Sequence, residues 1–271
     1  MLIDTHTHIH DTNFFNGSNN KPEALKGDRD ALYKEAVDSG VEKILCIGVD
    51  LKSSTEAVDF SQGKEGCFAV VGLHPHDAEH SEEEIAGIRR LLEENKGGKI
   101  VAIGECGLDY YYENSQAESQ KKVLVKHFEL AKEFKLPMVF HIRGSGSNPN
   151  DAFADFWPIF ERFKTEGVVH SFSAFKPQLE AILDHDLHVG INGIVTFTID
   201  EQQRDTMLSV PLDRLLLETD SPFLTPIPFR GKINTSKNTK LVAEFIAEQK
   251  NLTIDEIANK TTSNANQLFG L

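Results

Sequence analysis

The chain predicts an α/β protein of one domain, a single (β/α)8 (TIM) barrel over residues 1–271, and three observations carry that expectation. Its 271 residues are a normal length for one barrel. Short apolar runs recur eight times, each followed by a longer, helix-like stretch. No GxGxxG or GxxxxGKS/T follows any run, which removes the usual nucleotide-binding marks of an open α/β sheet. No composition break or low-complexity linker marks a second domain.

The first run, 2–5, meets a polar loop rich in Asn and Gly before a helix expected at about 29–39. KILCIGV (43–49) is the second strand, with a helix at 53–62, and 67–73 is the third. The stretch 81–95 opens Ser-Glu-Glu-Glu, an N-cap with acids in the first turn, and continues in amphipathic period. KIVAIGE (99–105) is the fourth strand, before a long helix at about 115–134. The fifth, 138–141, follows Pro137 and precedes a helix at 152–163; the sixth, 168–170, precedes one at 177–184. The seventh is 187–191, and the eighth, RLLLE (214–218), leads to helices near 236–249 and 254–268.

Forty-two acidic residues against 28 Lys and Arg leave a formal charge of −14, so wrapping a nucleic acid duplex through a broad basic surface is excluded. A phosphate-bearing substrate has to be drawn in locally. Cys46, Cys67 and Cys106 fall in apolar runs without zinc-ribbon or disulfide spacing and are expected to pack the core in a reducing compartment. The start, MLIDTHTHIH, has neither basic nor apolar targeting regions, and no run is long enough to span a bilayer. A cytoplasmic protein with no membrane association is expected, and a monomer, since no heptad or edge-strand signal points to assembly.

Candidate metal donors fall at or just past the C-terminal ends of strands one, four, five, six and eight, the end that carries the active site in such barrels. His6 and His8 are two residues apart, so on a strand both imidazoles face one space. Alone, His-x-His also fits a solvated pair at a strand end. Glu105 closes an apolar run, where a carboxylate is costly to bury unless paired or metal-bound; its neighbour Cys106 is expected on the opposite face. His141 ends MVFHIR-type apolar sequence, His170 ends GVV, and Asp220 follows LLL beside Glu218. One buried His is ordinarily a satisfied core residue, but four His and two acids at five strand ends of one face point to metal. Six such donors suit two divalent ions bridged by a carboxylate and a water. Zinc, manganese and magnesium all remain open. Asp220 is placed to orient the bridging water and take its proton, so Asp220 and Glu105 are the expected catalytic pair.

DTHTHIH (4–10), GLHPH (72–76), GECGLDY (104–110), HIR (141–143), HSFS (170–173) and LLETDSPFL (216–224) resemble, along the whole chain and in order, the TatD family of metal-dependent deoxyribonucleases. The resemblance implies a metal-dependent barrel that cleaves phosphodiester bonds, typically trimming DNA from a 3′ end. It implies His6 and His8 on one metal, Glu105 bridging, His141 and His170 on the second, and Asp220 as ligand and base. Arg143 shares the face of His141 and is a candidate phosphate grip through its forked donors, or else a rim salt bridge. His74 and His76 either touch substrate or support the metal donors. Asp109 is expected to stabilise its loop, and Asp4 at most to support a ligand. The acid-free run RGKINTSKNTK (230–240) makes Arg230 and Lys232 further substrate-binding candidates, with Lys237 and Lys240 beside them.

Three departures from the usual family pattern lie where substrate enters. Arg143 is followed by Gly144 and a GSGSNPND loop instead of an acid, Phe229 stands where His is frequent, and 234–236 lacks a nearby Pro. The leading expectation is a 3′–5′ exodeoxyribonuclease on single-stranded DNA or 3′ ends, with RNA as an open alternative. Phe14, Phe15, Tyr110, Tyr111 and Phe229 are candidates to stack a terminal base or simply to pack. A second reading keeps the metals and hydrolyses an ester or amide, such as a charged tRNA. A third, a degenerate barrel acting as a binding module, conflicts with a full donor set.

Overall fold

A computed structural model describes residues 1–14, 28–112 and 114–271. The apolar runs pair as parallel strands: β1 (Leu2–Thr7), β2 (Val41–Ile47), β3 (Cys67–Val71), β4 (Ile100–Asp109), β5 (Met138–Arg143), β6 (Gly167–Val169), β7 (His188–Ile191) and β8 (Leu215–Leu217). Each neighbours the next in sequence order, β1 through β8. The sheet curls until β8 meets β1, giving a near-closed TIM barrel.

That last junction is made largely by side chains. The Thr5 hydroxyl donates to the Leu217 carbonyl at 3.0 Å, and Asp4 accepts from the Thr219 backbone and hydroxyl at 2.9 and 2.7 Å. A single parallel bridge joins Thr7 to Ser221, whose hydroxyls lie 2.6 Å apart.

The helices α1 (Arg29–Asp38), α2 (Leu51–Ser61), α3 (Ser81–Glu94), α4 (Ala117–Phe134), α5 (Asp151–Phe163) and α6 (Lys176–Asp184) follow the first six strands. After β7 come α7 (Ile194–Phe197) and α8 (Glu201–Leu208), and after β8 come α9 (Thr239–Lys250) and α10 (Ile254–Phe269). Period-two alternation splits the core. Leu2, Ile44, Cys46, Val71, Ile103 and Phe140 face the surrounding helices. Ile3, Leu45, Val70, Val139, Val168 and Leu216 pack in the interior with Leu268 and Phe269 of α10. Lys43 reaches Asn266 at 3.0 Å, and Thr262 donates to the Met1 carbonyl at 3.1 Å, so α10 closes the N-terminal end of the barrel. The C-terminal end is left for the polar residues.

Two expectations are adjusted. β4 does not stop at Glu105: it runs on to Asp109, paired with Phe140–Arg143 of β5. The stretch between β7 and β8, unassigned from sequence, holds α7 and α8, both too short and too weakly amphipathic to announce themselves. The three cysteines are buried and free, as expected. Among the described residues no helix is long and apolar enough to cross a membrane.

Candidate metal centre

The C-terminal strand ends open into a cavity of about 700 Å³ whose lining includes His8, His74, Glu105, His141, His170 and Asp220. Glu105, 4% exposed, is its hub. Oε1 lies 2.9 Å from His141 Nδ1, 3.0 Å from His170 Nε2 and 3.5 Å from His74 Nε2, while Oε2 lies 3.3 Å from His6 Nε2. Burial alone would raise this carboxyl, but His170, His74 and His141 outweigh it and hold the group well below the usual carboxylate range. The carboxylate is therefore anionic in the protein interior.

Asp220 forms a second focus. It stands at φ 54°, a left-handed conformation that Asp tolerates, and its backbone N–H donates to the His6 carbonyl at 2.9 Å. Its Oδ1 lies 3.4 Å from His8 Nε2 and 3.7 Å from His6 Nε2. Burial pushes its carboxyl up, yet the facing imidazoles, His8 first, bring it below the ordinary value. Donor atoms of His6, His8 and Asp220 lie within 4.8 Å of one another, as do those of His6, Glu105 and His170.

These donors fit divalent metal. Neither ring nitrogen of the fully buried His6 has a hydrogen-bond partner, nor does His170 Nδ1. The 3.3 Å approach of His6 to Glu105 is thus a juxtaposition without hydrogen-bond alignment. Buried polar atoms are rarely left in that state unless something else satisfies them. The other rings are oriented as ligands require. His8 Nδ1 lies 2.9 Å from the Ile47 carbonyl, which can only accept, so in the neutral ring Nε2 keeps its lone pair for the cavity. His141 turns Nε2 to Asp109 Oδ2 at 2.9 Å, leaving Nδ1 toward Glu105.

His74 has the opposite tautomer. Its Nδ1 accepts from the His76 backbone N–H at 3.2 Å, which puts the proton of the neutral ring on Nε2. Burial lowers its pKa to about 4, so the ring is neutral at pH 7. His74 therefore faces the cavity as a hydrogen-bond donor, although its position beside Glu105 and His141 would also suit a metal.

Five of the six expected donors line one cavity, and His6 lies fully buried behind it, 3.3 Å from Glu105 and 3.7 Å from Asp220. His76 also lines the cavity, with Nε2 3.0 Å from Asp109 Oδ2. Arg143 lies at the mouth, its guanidinium 4.1 Å from the Tyr111 ring centroid and 5.0 Å from that of Tyr112. Among the described residues no carboxylate forms an ion pair with it, so the rim salt bridge considered from sequence is not made. Arg230 and Lys232 are not in the cavity lining. Each lies over an aromatic ring, Arg230 on Phe197 at 3.9 Å and Lys232 on Phe229 at 5.3 Å. Lys237 is paired with Glu35 at 2.7 Å. Of the aromatic candidates, Phe14 lines the cavity, while Tyr110 donates its hydroxyl to Asp155 at 2.9 Å and serves packing. Phe15 lies outside the described residues.

Two acids do more than the sequence indicated. Asp109 holds its loop, as expected, with Oδ1 accepting from the Tyr111 and Tyr112 N–H groups at 2.9 and 3.1 Å. Its other oxygen binds both His141 and His76. Burial opposes ionisation there, but those two rings keep the carboxyl far below its usual range. Glu218, fully buried, accepts from Ser171 N–H at 2.7 Å and Asn192 Nδ2 at 3.2 Å and lies 3.4 Å from His170 Nδ1. Its position two residues before Asp220 was the available clue. Asp4 braces the β1–β8 junction and touches no cavity atom; burial raises its pKa to about 7.

A parallel barrel that gathers imidazoles around ionised carboxylates at its C-terminal end defines a metal-dependent hydrolase of the amidohydrolase type. The chain belongs to the TatD family: the profile described as TatD related DNase matches residues 3–270. It is 36% identical to the uncharacterized metal-dependent hydrolase YabD of Bacillus subtilis strain 168, over 99% of each chain. It is 34% identical to a protein of Erwinia amylovora named 3′-5′ ssDNA/RNA exonuclease TatD, over 90% of this chain and 94% of that one. The crystal structure of the TatD homologue YjjV from Escherichia coli K12 superposes with a TM-score of 0.85 at 28% identity, covering 100% of this chain and 98% of the other.

Proposed function

We propose that this protein is a two-metal phosphodiesterase that removes nucleotides from the 3′ end of single-stranded DNA. The observation that carries the reading is Glu105, whose two oxygens face opposite donor sets, His6 on one side and His141 with His170 on the other. His6, His8, Glu105 and Asp220 would hold one divalent ion, and Glu105, His141 and His170 the second. The name of the Erwinia amylovora relative supports a nucleic acid substrate.

Bound metal supplies a water acidic enough to act as nucleophile near neutral pH and neutralises charge on the phosphate. The protein's own groups do the rest. Asp220, held anionic by His8 and His6, takes the proton of the attacking water. His74 donates its Nε2 proton to a phosphate oxygen. Arg143, which pairs with no carboxylate among the described residues, grips a second oxygen through its planar donors. Glu105, His6 and His170 are buried, so charge at the floor of the site acts in a medium of low dielectric.

The test is hydrolysis of an end-labelled single-stranded DNA oligonucleotide with magnesium, manganese or zinc, comparing the wild type with Glu105→Ala and Asp220→Asn. Stepwise shortening from the 3′ end by the wild type alone is expected. No cleavage by a metal-loaded wild type that hydrolyses small esters would replace this reading with an esterase.

A further inference from the structure

A second cavity, of about 270 Å³, adjoins the metal centre and shares Ile142, Arg143 and Ser173 with it. Its walls are mainly flat and apolar: Tyr111, Pro149, Phe153, Phe172 and Phe175. Pockets of that make-up, apolar and aromatic with few polar groups, are seats for small planar ligands. We propose that this cavity seats the base of the 3′-terminal nucleotide, stacked against the π surface that Tyr111 and the Arg143 guanidinium form together. The inference rests on the phosphodiesterase reading and adds to it where the leaving nucleotide's base goes.

The geometry supports this in three ways. Arg143 stands at the boundary of the two cavities, so a phosphate it grips in the first has its sugar and base beside the second. Tyr111 is 50% exposed, leaving ring surface open for a ligand, and aromatic rings and guanidinium planes are the usual stacking partners of unpaired bases. The opposite wall is a built loop. At Gly144 a Cβ would lie 2.3 Å from the Pro149 carbonyl oxygen, so only glycine lets residues 144–149 fold so tightly. Ser145 N–H donates to Asp151 at 3.0 Å, Asn148 N–H to the Ser145 hydroxyl at 3.1 Å, and Gln178 ties Asn150 to α6 at 3.0 Å.

The polar side chains able to read base edges are mostly engaged elsewhere. Gln203 donates to the Ser173 carbonyl and accepts from the Thr198 hydroxyl. Stacking without edge recognition makes the seat indifferent to base identity but dependent on a base being present.

The experiment compares kcat/KM for a single-stranded oligonucleotide ending in a normal 3′ nucleotide with one ending in a tetrahydrofuran residue that lacks the base. The wild type is expected to prefer the base-bearing end by about tenfold. Tyr111→Ala should bring that ratio toward one, and Tyr111→Phe should keep it. Gly146→Leu should lower it by filling the cavity, since a Cβ at Gly146 has room, 3.8 Å from Tyr111 Cε2. A wild-type ratio near one, or a ratio unmoved by both Tyr111→Ala and Gly146→Leu, overturns the seat while leaving the nuclease intact. Failure of the wild type to cut any oligonucleotide overturns the phosphodiesterase reading and the seat with it.

Discussion

Asp109 Oδ2 lies 2.9 Å from His141 Nε2, on the opposite edge of the ring from the Glu105 oxygen that approaches Nδ1 at the same distance. A histidine held between two carboxylates has its tautomer dictated by the outer one. Here the outer acid keeps the Nε2 proton and so frees Nδ1 for a cation.

Replacing Asp109 by Asn should therefore weaken metal binding at the His141 side by about ten- to a hundredfold. A competition titration with a chromogenic chelator would measure it. Activity should recover in part at high metal concentration, because the six proposed ligands remain. An unchanged affinity would reduce Asp109 to a loop anchor.

Gly190 on β7 shows how tightly the opposite side is packed. A Cβ there would lie 2.3 Å from Glu218 Oε2, in a place where the carboxylate has no room to swing. Gly190→Ala should cost about 1–3 kcal/mol of stability by overpacking and displace Glu218 from Ser171 and His170. Urea midpoints and metal content should fall together. Lost stability with full metal content would show that His170 is oriented without Glu218.

Legibility in the sequence followed burial. Strand ends and the clustering of His, Glu and Asp there could be read because apolar runs with a single polar residue at the end are costly to build otherwise. The contacts of Asp109 with His141 and His76 were not legible because the strand was expected to end at Glu105; β4 instead continues through Cys106, Gly107 and Leu108, which puts Asp109 on the same face as Glu105. A local excess of basic residues says nothing of side-chain direction, and Arg230 and Lys232 lie over Phe197 and Phe229, outside the cavity lining. The tautomers of His8 and His74 depend on the Ile47 carbonyl and the His76 N–H, partners that only the fold brings into place.

His127 gives a pH signature independent of the metal centre. It is fully buried in α4, accepts from the Leu73 N–H at 3.0 Å, and burial lowers its pKa to about 4. Between that value and the unfolded value near 6.5 the unfolded chain binds the proton and the folded chain does not, so stability falls as pH drops through this window. The loss is on the order of 3 kcal/mol when complete. Urea denaturation at pH 7 and pH 4.5 should show a smaller difference in His127→Gln, whose amide oxygen can still accept from Leu73.

Metal should also report on the fold. Saturation to about a hundredfold over Kd should stabilise the protein by about 2.7 kcal/mol for each ion bound, seen as a rise in Tm that a chelator reverses. Glu105→Ala should lose most of that response, since it removes the one carboxylate shared by both donor sets. A metal-independent Tm in the wild type would contradict the proposed centre.

The barrel is a hoop with overlapping ends. Across the overlap, β1 and β8 are held by the Thr7–Ser221 bridge and a few side-chain hydrogen bonds. His6 and His8 stand on one lip and Asp220 on the other. A cation gripped by all three would act as a rivet, and withdrawing it would slacken this lap before any other joint. The amide protons of Asp220 and His8, which cross the lap to the His6 and Ser221 carbonyls, would then be the first to exchange with solvent. The centre that cuts the substrate would also keep the barrel round.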